Sequence, residues 1–115
     1  MEKIRAMVVK ADSDVLTVVE NFEHSLESLQ KFVGGYIEAV RVTESIVIWV
    51  NEEGKLEGLE GNFYLTDKNG LPIDLIAGNA LFTGSNGEGE TVSLTDEEVT
   101  YIKDRFIDRG RFIYR

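Results

Sequence analysis

Seven side chains combine directional polar groups with positions at or just beyond the ends of strand-like runs: Tyr36, Glu38, Asn51, Glu52, Lys55, Asn62 and Asn79. A tyrosine ring stacks on a base, while amides and carboxylates read hydrogen-bonding edges or ribose hydroxyls. The set therefore fits recognition of a small nucleotide-like ligand. Asn51 and Asn62 also stand where turns are expected, and an asparagine that shapes a turn needs no ligand, so both roles stay open for them. Glu38 and Glu52 would equally supply the acid–base pair of a small hydrolase, which ranks below simple binding. Carboxylates outnumber cations around these positions, a balance that favours a ligand bearing hydroxyls or a cationic ring over a polyphosphate.

Other chemistries find little support. With no cysteine, the chain has neither a thiol nucleophile nor a thiolate metal site. Its single histidine, His24, sits between Glu23 and Ser25 at an expected helix start, where an exposed structural role is expected rather than a Ser/His/Asp arrangement. Asp67-Lys68-Asn69-Gly70 begins like a calcium loop but lacks the closing bidentate glutamate, so a turn is the better reading. Gly84 to Glu90 is glycine-rich enough to cradle an anion, yet it contains two glutamates and no following Gly-Lys-Ser/Thr, which makes it a flexible connection. No catalytic residue, metal or cofactor is expected.

The elements that must position the seven residues follow from periodicity. Ile4, Ala6, Val8 and the run Val15 to Phe22 flank Ala11-Asp12-Ser13-Asp14, a cluster of turn formers, and predict an opening hairpin. Leu26, Leu29, Phe32 and Val33 then share one helical face, between a Ser25 cap and Gly34-Gly35. Tyr36 to Val42 alternates as a strand, and Ile46-Val47-Ile48-Trp49-Val50 reads as a central strand covered on both faces, closed by the turn Asn51 to Gly54. Asn62 to Thr66, Ile73 to Ala77 and Asn79 to Thr83 are further strands. Thr95 to Glu98 forms a capping box for a longer helix, Thr95 to Asp108, packed through Val99, Ile102 and Phe106. Strands follow strands through short turns, so the fold class is α+β: one domain over residues 1–115, two helices and a mixed or mostly antiparallel sheet.

The net charge of −9 opposes phosphate-backbone binding, so no direct nucleic-acid partner is expected. Charge is uneven along the chain: residues 1–100 are acidic, whereas the last fifteen carry five basic and two acidic groups. That closing segment interleaves Tyr101, Phe106, Phe112 and Tyr114 with its cations. As a strand, Arg111 to Arg115 would complete the sheet or dock on a second copy, which predicts a homo-oligomer. Without a leader-like start or an apolar span, a cytoplasmic protein outside the membrane is expected.

Two segments carry a family resemblance: Leu29-Gln30-Lys31-Phe32-Val33-Gly34-Gly35-Tyr36-Ile37-Glu38, and Val50-Asn51-Glu52-Glu53-Gly54-Lys55-Leu56 followed by Asn62. With Ile76 to Gly84 and Leu94 to Glu98 they resemble a family of small phage and plasmid proteins known as a domain of unknown function, number 3846, over residues 25–100. The resemblance implies a phage or mobile-element origin and, from there, action against host defence in the host cell cytoplasm. The leading expectation is sequestration of a nucleotide-derived immune signal without catalysis. The alternative is an acidic decoy that binds a host defence protein.

Overall fold

The computed structural model describes residues 2–13 and 15–114; Met1, Asp14 and Arg115 lie outside the described residues, and with them one end each of the expected hairpin turn and basic tail. The chain opens with the hairpin that its β-rich runs predict, β1 (Lys3–Val9) antiparallel to β2 (Leu16–Glu23). The helix α1 (Leu26–Val33) starts where the Ser25 hydroxyl accepts the Ser28 N–H, at 3.0 Å. It stops at Gly34, whose φ of 84° is the left-handed conformation that glycine adopts without strain. Leu29 and Val33 are buried as expected, whereas Leu26, the first residue of this two-turn helix, is exposed.

Next come β3 (Ile37–Arg41), β4 (Ile46–Asn51), β5 (Gly61–Thr66), β6 (Pro72–Ala77), β7 (Ala80–Ser85) and β8 (Thr91–Val92), then α2 (Asp96–Arg105), β9 (Phe106–Asp108) and β10 (Arg111–Ile113). They form two sheets rather than one. The larger has the order β2-β1-β7-β4-β3, with β8 added to β7, and every pairing in it is antiparallel. The smaller has the order β6-β5-β10-β9, with β10 parallel to β5. The fold is thus α+β, with one antiparallel and one mixed sheet. β4 is interior, as its apolar run predicts, and β7, buried along its whole length, occupies the middle.

Strand alternation divides the large sheet between two layers. Met7, Val9, Ile46, Ile48, Val50, Ala80 and Phe82 point toward the small sheet and α2, where they meet Phe63, Leu65, Ile76, Ile102 and Phe112 in one core. Ala6, Val8, Leu81 and the partly buried Trp49 point the other way, under Leu29 and Phe32 of α1. Trp49 donates its indole N–H to the buried Thr83 hydroxyl at 2.9 Å, so the polar end of the ring is satisfied.

Two expectations are corrected. The second helix has its Thr95–Glu98 capping box but ends at Arg105, and residues 106–108 are a strand. Phe106 leaves the helix because its ring belongs to a cluster with Phe112, Phe63 and Phe82, at centroid distances of 4.8, 5.2 and 6.1 Å. Burial of so much aromatic surface outweighs the extra helical turn. The glycine-rich stretch is no slack connection either: Gly84 and Ser85 belong to β7, and the Asn86 carboxamide oxygen accepts the Glu88 and Glu90 N–H groups in a tight hairpin turn into β8. The basic end completes a sheet, one of the two placements expected of it: β10 is paired on both sides within the chain and carries the fully buried Phe112. No helix among the described residues is long and apolar enough to cross a membrane.

Candidate functional site

The two sheets part where β3 and β4 of the large one face the edge strand β6 of the small one. Between them, closed on one side by the turn after β4, lies a cleft of about 370 Å³. β3 borders it because its residues alternate: Glu38 and Val40 lie on the same side as Val50, the Cα partner of Glu38 across the ladder. Val40, Val50, Ile76 and Ala77 give the cleft an apolar lining, and Glu38, Glu52, Glu53, Lys55 and Asp74 give it a charged rim. Four residues singled out in the sequence, Glu38, Asn51, Glu52 and Lys55, are thus brought together from two elements. Glu53 and Asp74 were missed. Glu53 was legible as the neighbour of Glu52, but Asp74 reaches the cleft only through sheet-on-sheet packing.

Lys55 reaches across the cleft to the Asp74 carboxylate at 2.5 Å. The Lys55 ammonium, with help from the Leu75 N–H, holds the Asp74 carboxyl below its ordinary value, while partial burial opposes the shift. This pair spends the one lysine that lines the cleft among the described residues. The Glu38 and Glu52 carboxylates make no hydrogen bond or ion pair among the described residues, so they stand as unused acceptors above the apolar lining.

Tyr36 occupies a neighbouring, shallower depression of about 280 Å³, lined also by Gln30, Gly35, Asn51, Glu53 and Glu57. Tyr36 is 72% exposed, enough for its ring to offer a face for stacking. Asn51 and Glu53 border both depressions and form the wall between them. Asn51 itself is committed. Its amide donates to the Val33 carbonyl at the end of α1 (3.2 Å) and to Glu57 (3.4 Å), and its oxygen accepts the Glu53 N–H (2.8 Å). Gly35 makes room for it, since a Cβ there would stand 2.8 Å from the Asn51 amide nitrogen.

Asn62 and Asn79 line neither depression. The Asn62 amide donates to the carbonyls of Val9 (2.8 Å) and Gly78 (2.9 Å), tying the end of β1 to the β6–β7 turn. Asn79 accepts the Ala11 N–H at 3.0 Å and donates to the Phe32 carbonyl at 3.1 Å, joining the first hairpin to α1. Of the two roles open to Asn51 and Asn62, the hydrogen bonds favour the structural one. His24 lies partly buried beside Glu2, 3.5 Å from its carboxylate, and borders neither depression. Asp67 accepts the N–H groups of Asn69 and Leu71 and shapes the turn expected of it, with Gly70 at a φ of 83°.

A cleft that presents carboxylates over an apolar lining, with its one ammonium already paired, can accept hydrogen bonds from hydroxyls and amines and can attract a positively charged ring. It repels phosphate. The model of a domain of unknown function (DUF3846) matches residues 4–107, the first hairpin included, and the chain belongs to that family. No curated protein and no solved structure matches the chain.

Proposed function

We propose, from the acidic cleft and the family membership together, that the chain is a non-catalytic binding protein that holds a small nucleoside-like ligand and releases it unchanged. The observation that carries this is the pair of unpartnered carboxylates, Glu38 and Glu52, above an apolar lining. The exposed ring of Tyr36 lies in the adjoining depression. Carboxylates suit ribose hydroxyls and exocyclic amines, the lining suits a base, and Tyr36 adds a stacking face. In a phage or mobile element such a protein would sequester a nucleotide-derived immune signal in the host cytoplasm, with the phosphates of that signal held outside the cleft. Self-association belongs to the proposal. Because both edges of β10 are taken, a second copy would meet Arg111–Ile113 through side chains and not through strand addition.

The test is incubation of the purified protein with extracts of defence-activated cells, followed by filtration, heat release and mass spectrometry. A small molecule recovered intact, and retained less by Glu38→Gln, Glu52→Gln and Tyr36→Ala, is the expected result. Recovery of a chemically altered molecule makes the protein an enzyme, with Glu38 and Glu52 the first residues to examine. A second reading, an acidic decoy for a host protein, draws on the net charge of −9. It wins if no small molecule is retained and a host protein co-purifies in a complex that salt weakens steeply.

A further inference from the structure

Among the described residues β2, β3, β6, β8 and β9 each pair on one side only. An open strand edge presents unpaired N–H and C=O groups, and folded chains blunt such edges with bulges, prolines or shortness. Four of the five are blunted. The β1–β2 ladder shifts register between Ile4 and Ala6, β6 begins at Pro72 and shifts register twice against β5, and β8 and β9 are two and three residues long. The exception is β3: its five residues pair with β4 in unbroken register, from Ile37 with Asn51 to Arg41 with Val47, and none of them is a proline.

The ladder fixes which groups of β3 face outward. At one end Glu52 donates its N–H to the Tyr36 carbonyl, and at the other Val42 donates to the Ile46 carbonyl, both at 2.9 Å. Hydrogen-bonded and non-bonded pairs alternate in an antiparallel ladder, so Glu38 and Val40 also bond to β4. The N–H and C=O groups of Ile37, Ala39 and Arg41 therefore point away from it, and they have no partner among the described residues. Ala39 is itself exposed. On the cleft side of this edge stands the unpartnered Glu38 carboxylate, and the cleft behind it is lined by Glu52, Glu53 and Asp74 against the single cation Lys55. A second copy adding its own β3 would set Ala39 on a two-fold axis and bring two such acidic rims together, which like charge opposes in a molecule of net charge −9.

We propose that the free edge of β3 takes an extended segment of another protein as an added antiparallel strand, with Lys or Arg opposite Glu38 and an apolar residue opposite Val40. Backbone hydrogen bonds to Ile37, Ala39 and Arg41 supply the affinity, and the alternate side chains on the cleft side supply the choice of partner. Opposite charges on directly facing residues of neighbouring strands attract, which selects the basic residue. The antiparallel direction continues the pattern of the large sheet, in which every pairing is antiparallel. The edge shares Glu38 with the cleft but does not rest on a ligand being held there.

The test is a titration of the ¹⁵N-labelled full chain with the peptide acetyl-Thr-Val-Thr-Lys-Thr-Val-Thr-amide, followed by amide chemical shifts and hydrogen exchange. In the free protein the amides of Ile37, Ala39 and Arg41 should exchange fast and those of Glu38 and Val40 slowly. At saturating peptide all five should be slow. Replacing the peptide's lysine by glutamate should weaken binding about fivefold, the loss that one partly exposed charge pair supports. Ala39→Pro removes an outward N–H and no rung of the β3–β4 ladder, so it should stay folded, as its own spectrum reports, and lose saturable binding. The peptide with both threonines beside its lysine N-methylated cannot donate to β3 and should fail to bind the parent protein, whatever the fate of that variant. Equal binding of the glutamate or N-methylated peptide, undiminished binding by folded Ala39→Pro, shifts centred elsewhere, or no saturable shift would overturn the proposal. So would slow exchange of Ile37, Ala39 and Arg41 without peptide in a protein that light scattering shows to be a dimer, which assigns the edge to a second copy.

Discussion

Asn51, Asn62 and Asn79 on one side, and Glu38 and Glu52 on the other, all stand at strand ends or turns, yet they belong to regions of opposite character. The three asparagines form a junction. Each spends its side chain on backbone groups of another element: the last turn of α1, the end of β1, the turn before β7. The two glutamate side chains border an open cleft, and their carboxylates have no partner among the described residues. A carboxamide has both donors and an acceptor and can satisfy two backbone groups at once. A carboxylate only accepts, and it costs too much to bury without a cation, so it stays at a rim. Polar residues that look alike along the chain are thus sorted by what their groups can satisfy in a dry interior.

That division can be broken by substitution. Trp49 lies two residues before Asn51 on the α1 side of β4, and truncation there should have the largest effect. Trp49→Ala should cost on the order of 3–5 kcal/mol in denaturant unfolding, because it opens a cavity and leaves the buried Thr83 hydroxyl without its donor. A loss under about 1 kcal/mol would show that this layer is loosely packed.

Asn62→Ala and Asn79→Ala should each cost about 1–3 kcal/mol by leaving backbone carbonyls unpaired, with ligand binding reduced only as far as the unfolded fraction requires. Full stability combined with lost binding would move the asparagine in question to the functional side of the comparison. Glu38→Gln and Glu52→Gln should do the reverse, weakening retention of the ligand by about 1–2 kcal/mol in calorimetric titration. Their unfolding free energies should stay within about 0.5 kcal/mol of the parent. A marked loss of stability in either would reveal a structural partner for that carboxylate.

The smallest effect belongs to the cleft's ion pair. Lys55 and Asp74 are 58% and 52% exposed, so solvent screening limits the pair to about 0.5 kcal/mol. The folded value of Asp74 is lowered, so its increment is fully present above the ordinary carboxylate range and is lost as pH falls through the lower folded value. Asp74→Asn should therefore flatten the acid limb of stability against pH, slightly and only there. An equal difference between variant and parent at neutral pH and well below the folded value would assign the residue's contribution to packing.

Much of the frame was legible along the chain. The first hairpin, α1 with its Ser25 and Gly34 ends, the buried β4 run and the Thr95–Glu98 box all follow from local rules: periodicity, capping and turn chemistry act within a few residues of one another. The family was legible too, from Gly34-Gly35-Tyr36 and the Asn51 to Lys55 turn. Local rules failed at residues 106–108, where the helical spacing of Phe106 continued but its ring was claimed by Phe63, from a strand far away in sequence, and by Phe112 across the β9–β10 hairpin.

The sequence by itself determined most of the strands and both helix starts, and that the body is acidic with a basic end. Only the tertiary structure decided that the strands divide between two sheets, that β10 closes the smaller one from inside, and that a cleft opens where β3 and β4 overhang β6. It alone separated the asparagines that fasten the frame from the glutamates left at its rim. The physical reason is range. Capping and periodicity are settled by neighbours a few residues apart, whereas burial of Phe112, pairing of Lys55 with Asp74 and the hydrogen bond from Asn62 to Val9 join residues that only the packed chain brings together.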